Sequence, residues 1–159
     1  MAIFGIEDVF RFAIQIETNG EKFYRQMASR FDEPEMHRFF EELALQEVGH
    51  QTIFRNLARR LGQSVTHESY PGEFNAFLEA YTEKILFSET ILAETIEKIS
   101  DFPEAIRYAI DKELDSVLYY QEIKQLIPAS EHSILDGIIE EERRHVVRLS
   151  EYGRKIARQ

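Results

Sequence analysis

The residues of this sequence best placed to do chemistry are glutamates and histidines at helical spacing. Glu47-Val48-Gly49-His50 and Glu142-Arg143-Arg144-His145 are two Glu-x-x-His motifs. Residues three apart on a helix lie one turn apart on the same side. The carboxylate can then bridge two metal ions while the imidazole caps one of them. Two further glutamates, Glu17 and Glu113, sit in matching surroundings. Phe12-Ala13-Ile14-Gln15-Ile16-Glu17 aligns with Tyr108-Ala109-Ile110-Asp111-Lys112-Glu113, and Phe23-Tyr24 or Tyr119-Tyr120 follows each. From Glu17 to Glu113 is 96 positions, and from Glu47 to Glu142 is 95. A near-constant offset marks a duplicated helical hairpin.

Four long helices are needed to position these residues, and the apolar periodicity predicts them. The first runs from about Ile6 to Arg30. The second starts after Asp32-Glu33, with Pro34 at its first position, and stops at Gly62. The third runs from about Pro103 to Ile127, restarted by Ser100, Asp101 and Pro103 and ended by Pro128. The fourth, capped by Ser130, runs to about Ala157. Between the second and third lies a loop from Gln63 to Gly72 and a helical segment from about Phe74 to Ile99, in one or two pieces. The expected architecture is all-α: a four-helix bundle with a long, partly helical crossover between helices two and three, forming one domain over 1–159.

Each bundle helix carries an apolar stripe at steps of three or four. The first is Phe10, Ala13, Ile14, Glu17, Tyr24 and Met27. The second is Phe40, Leu43, Glu47, His50, Phe54, Leu57 and Leu61. The third is Ile106, Ala109, Glu113, Val117, Tyr120 and Ile127. The fourth is Leu135, Ile138, Glu142, His145, Leu149, Tyr152 and Ile156. Every stripe is apolar at both ends and broken near its middle by Glu, or by Glu and His. Buried carboxylates are costly unless paired, protonated or metal-bound. No Lys or Arg falls on the stripes near their centres. Two divalent cations would close four carboxylates to neutrality, and the donor set suits iron, manganese or zinc. The plainer alternative is an acidic bundle with part-exposed glutamates and two satisfied core histidines.

Tyr24 and Tyr120 each follow a stripe glutamate by two turns. They read either as hydrogen-bond partners of a metal carboxylate with a part in electron transfer, or as core tyrosines. His37, His67 and His132 lack a Glu three positions earlier and read as surface residues. Glu21, Glu140 and Glu141 point off the stripes and read as solvated. The apolar set Ile85, Leu86, Phe87, Ile91, Leu92 and Ile96 exceeds what one face of a short helix needs. It would cover the bundle or form a subunit interface, and a homodimer is expected.

Composition narrows the function classes. The absence of cysteine excludes a thiolate nucleophile, a disulfide framework and an iron–sulfur cluster within these 159 residues. The net charge of −10 opposes binding to nucleic acid or anionic membrane through the bulk field. Met1–Phe10 has no basic start and already carries Glu7 and Asp8, so a cytoplasmic location without a leader or membrane span is expected.

On Glu17 with Phe23-Tyr24, Glu47 with His50, Glu113 with Tyr119-Tyr120 and Glu142 with His145, the sequence resembles the ferritin-like superfamily. Within it, the likeness is to rubrerythrin-type di-iron proteins lacking a rubredoxin domain. It covers helices one to four, nearly the whole chain apart from the crossover. The resemblance implies two iron ions per chain, bridged by Glu47 and Glu142, with Glu17, Glu113, His50 and His145 as terminal ligands. It implies an oxidoreductase reducing peroxide or dioxygen, with ferroxidation or iron storage and delivery, or a metal-stabilised structural role, as alternatives. Electrons would come from a separate donor such as a rubredoxin. Peroxidase-type rubrerythrins carry an extra carboxylate one turn after the third-helix ligand, where this chain has Ser116. Bacterioferritin holds haem with a Met directly after the second-helix Glu, where this chain has Val48, so no haem is expected.

Overall fold

A computed structural model describes residues 5–62, 72–85 and 89–158, with only the backbone described for 73–75, 82–85 and 89–90. The elements in order are α1 (Ile6–Arg30), α2 (Pro34–Leu61), α3 (Gly72–Ile85), α4 (Glu89–Lys98), α5 (Phe102–Lys124), a 3-10 turn (Ala129–Glu131) and α6 (His132–Ile156). No strand occurs among the described residues. Among the described residues no helix is long and apolar enough to cross a membrane. The crossover helix is in two pieces, and the first begins at Gly72 rather than Phe74. Residues 63–71 of the expected loop, with His67, and Leu86 and Phe87 of the apolar set lie outside the described residues, as does the Ile85 side chain. Of the rest of that set, Leu92 and Ile96 are buried and Ile91 is 45% exposed.

The chain divides into two compact units, Met1–Leu92 and Ala93–Gln159. In the first, α1 packs on α2; in the second, α5 packs on α6. Local chemistry explains the helix starts. The Asp8 carboxylate accepts the Gly5 N–H at 2.9 Å ahead of α1. Pro34 opens α2, where a missing N–H costs nothing. Asp101 caps α5 by accepting the Glu104 N–H at 2.8 Å, and Glu104 reaches back to accept the Ser100 N–H at 2.8 Å.

The start of α6 departs from expectation. Ser130 does not cap it. Ser130 lies inside the 3-10 turn, and Glu131 precedes the helix with no side-chain cap bond. Pro128 ends α5 early, at Lys124, and the chain needs the tight turn to reverse before a helix can restart. A different residue secures this corner. His132 donates a ring N–H to the Ile127 carbonyl at 3.1 Å. His37 does the same in the first unit, donating to the Ala28 carbonyl at 2.8 Å. A carbonyl only accepts, so the ring is the donor in both. His37 and His132 are 95 positions apart, the offset of the Glu-x-x-His motifs. His37 ties the last turn of α1 to the start of α2, and His132 ties the turn after α5 to the start of α6. His37 is exposed and His132 half-buried, but neither is an idle surface side chain.

The stripes hold with small shifts. All seven members on α2 are buried. On α1, Ile14 is only half-buried, while Val9, Phe12 and Phe23 are buried. On α5 the buried line runs through Ser116 rather than Val117, and on α6 Ile156 is half-buried. Aromatic rings fill the first hairpin, with Phe10 and Phe54 at 6.4 Å and Tyr24 stacked on Phe40 at 6.2 Å between centroids. In the second, Phe102 meets Tyr152 edge-on at 5.5 Å.

Candidate metal centre

In the first unit, α1 presents Glu17 and α2 presents Glu47 and His50. Glu17 is 0% exposed, and the other two are also buried. His50 Nδ1 lies 3.3 Å from Glu17 Oε2. One oxygen of each carboxylate and one ring nitrogen lie within 4.8 Å of one another. Burial of three such groups in an apolar hairpin follows from the stripe: each sits one or two turns from residues that the hydrophobic effect drives inward.

The second unit repeats the set. Glu113 comes from α5, and Glu142 and His145 from α6, all buried. His145 Nδ1 is 3.3 Å from Glu113 Oε1 and 3.1 Å from Glu142 Oε2. Burial pushes the His145 pKa down, but the Glu113 and Glu142 carboxylates lying against its Nδ1 outweigh it, raising it to about 9. Without metal, this imidazole therefore holds its proton at neutral pH and acts as the counter-ion of its carboxylates. Among the described residues no Lys or Arg is buried, so no fixed cation takes that part.

The residues present fit a bound metal. Carboxylate oxygen and imidazole nitrogen are the donors that iron, manganese and zinc take. A second feature is Gly20, one turn beyond Glu17 on α1. A Cβ at Gly20 would stand 2.9 Å from Glu47 Oε2 and 3.2 Å from its Cδ. The Glu47 carboxylate thus occupies space that a side chain at position 20 would take. A mid-helix glycine costs about 1 kcal/mol relative to alanine, and the close approach of a carboxylate accounts for it here.

Beside the first set runs a polar network that the sequence reading missed. Gln51, buried next to His50, donates to Glu21 Oε2 at 2.8 Å. Arg25 donates to Glu21 Oε1 and to Glu41 Oε2, both at 3.0 Å, and Arg55 donates to Gln51 Oε1 at 2.9 Å. Glu21 is therefore half-buried and held in place, not solvated. Burial raises its pKa, but the bonds from Gln51 and Arg25 and the charges of Arg25 and Arg55 prevail and lower it. Its place four residues after Glu17, one turn along the same face, was the available signal. Glu140 is exposed as expected, and Glu141 is part-exposed. Tyr24 and Tyr120 are buried among rings, Tyr24 against Phe23 at 5.4 Å and Tyr120 against Tyr119 at 5.9 Å. Ser116 donates its hydroxyl to the Lys112 carbonyl at 3.0 Å.

The model of the rubrerythrin family matches residues 8–153. No curated protein matches the chain. Among solved structures, a Thermotoga maritima protein assigned as a ferritin-like diiron-carboxylate protein is similar. It is 27% identical, with 97% of each chain covered and a TM-score of 0.67. Likeness of that extent over nearly the whole of both chains makes the fold ferritin-like, the all-α class expected above.

Proposed function

Because the chain belongs to the rubrerythrin family of ferritin-like proteins, we propose that it is a di-iron carboxylate oxidoreductase. Its reaction is reduction of peroxide or dioxygen with electrons from a separate donor. The observation that carries this reading is the buried Glu-Glu-His set repeated in each unit, without a buried Lys or Arg among the described residues. In this reading Glu17, Glu47, His50, Glu113, Glu142 and His145 hold two iron ions per chain. The family resemblance would give Glu47 and Glu142 the bridging part and the other four terminal places. Four carboxylates against two divalent ions leave the centre neutral, which is what an apolar surrounding requires. Two ferrous ions supply two electrons, the number that takes one peroxide and two protons to two waters.

The chain's own residues supply the rest. The candidate ligands all lie on helices rather than on loops, which would hold them at set heights. Tyr24 and Tyr120, buried two turns from Glu17 and Glu113 on the same helices, would orient metal carboxylates through their hydroxyls. Ser116, turned onto its own helix, puts no carboxylate where peroxidase-type relatives have one, so the ligand set stays at six. With no cysteine in these 159 residues, electrons arrive from another protein, a rubredoxin-like carrier being the chemistry that fits. A cytoplasmic homodimer is part of the same reading, and analytical ultracentrifugation checks the dimer.

An aerobic ferrous-iron titration of the metal-free protein is the deciding experiment. Oxidation and retention saturating near two irons per chain, followed by peroxide-dependent reoxidation of the reduced protein, is the expected result. Uptake far beyond two would mean storage. No uptake would leave zinc or manganese in a structural part.

A further inference from the structure

We propose that Gly20 is a positioning residue: it holds open the seat in which the Glu47 carboxylate lies against the α1 backbone, and the centre's ability to take metal depends on that seat. This rests on the metal-binding reading above. The geometry is specific. A Cβ on Gly20 would meet Glu47 Oε2 at 2.9 Å, Cδ at 3.2 Å and Cγ at 3.4 Å. The first distance is shorter than real Cβ contacts allow, so an added methyl must push the carboxylate aside. The atoms it meets are the far end of a flexible side chain, not backbone. The fold can therefore absorb the methyl at little cost, but the ligand cannot stay where it is.

The duplication sharpens the inference. Position 116 stands 96 residues after position 20, the same offset as Glu17 to Glu113. The second unit has Ser116 there, buried, with its hydroxyl turned back to the Lys112 carbonyl. A Cβ covers the backbone at that place, so the second unit lacks the open seat. The two units thus present equal ligands with a different residue, Gly20 or Ser116, one turn after the first-helix glutamate. By contrast, a methyl added to Gly137 on α6 would meet nothing within 4 Å. A glycine in a helix of this chain does not by itself imply a ligand-positioning part.

The test uses the full-length metal-free protein and cobalt(II), read by its visible absorption and by metal retained after dialysis. Gly20→Ala is expected to stay as helical as wild type and to melt no lower without metal, since alanine is the better helix former. Its cobalt(II) affinity is expected to fall about tenfold or more, the range seen when a ligand's support is lost, with an altered spectrum. Gly137→Ala is expected to bind as wild type does. Should Gly20→Ala fail to fold, the same comparison is made in a Glu47→Asp background, whose shorter side chain withdraws from the methyl. There the added methyl is expected to cost little affinity. Wild-type affinity and spectrum in Gly20→Ala would overturn the proposal and leave the metal reading standing, as would an equally large loss in the Glu47→Asp background. Absence of cobalt(II) binding by wild type would overturn both.

Discussion

His145 lies between two carboxylates, and its proton links pH to stability. Its pKa in the metal-free chain is raised from 6.5 to about 9. The folded state then binds more protons than the unfolded state between those values, so stability falls as pH rises through that window. The contribution is fully present below about 6.5, the unfolded value, and gone above about 9. Thermal melts of metal-free protein across this range should show a falling melting temperature, and His145→Gln should flatten the fall. A pH-independent melt of metal-free wild type would contradict the pairing. The identity of His145 as a ligand candidate was readable from its motif. Its tie to Glu113 was not, because that partner lies 32 positions away. Gly20 was likewise unreadable: a glycine within a helical pattern signals only a small cost until the carboxylate filling its space is seen.

At the scale of elements, the helix limits were legible because caps and periodicity are local. The limits of α1 and α2 coincide with those read from the sequence. Asp101, one of the residues expected to restart the chain, caps α5 with its carboxylate. Asp101→Ala is expected to cost about 1 kcal/mol in chemical denaturation, the usual worth of such a cap. The corner before α6 was misread because Ser130 has the right type but the wrong backbone, held in a 3-10 turn. His37 and His132 do the fastening instead. Each replacement by alanine removes one hydrogen bond at a helix end and is expected to cost about 1 kcal/mol. Neither should change metal content, and loss of metal in His37→Ala would show that its clasp does more than join two helices.

For the whole molecule, metal binding and folding are one equilibrium. A ligand that binds only the folded state at a hundred times its dissociation constant adds about 2.7 kcal/mol. In a chain of this size each kcal/mol moves the melting temperature by about 2–4 °C. Chelation is therefore expected to lower the melting temperature by several degrees, and co-melting of apo and loaded protein would contradict the buried ligand set. Glu17→Ala, Glu47→Ala and Glu142→Ala should each lower metal content measured by elemental analysis. The sequence alone determined the helical class, the limits of α1 and α2, and the six candidate ligands. These follow from which residues recur every three or four positions, and that spacing is a property of one helix at a time. Only the tertiary structure decided that Glu47 fills the space left by Gly20, that His145 lies between Glu113 and Glu142, that Glu21 is tied to Gln51, and that two distant histidines clasp the hairpins. Such pairings depend on how one helix rotates and slides against another in the same hairpin. That freedom is settled by packing, and periodicity does not encode it.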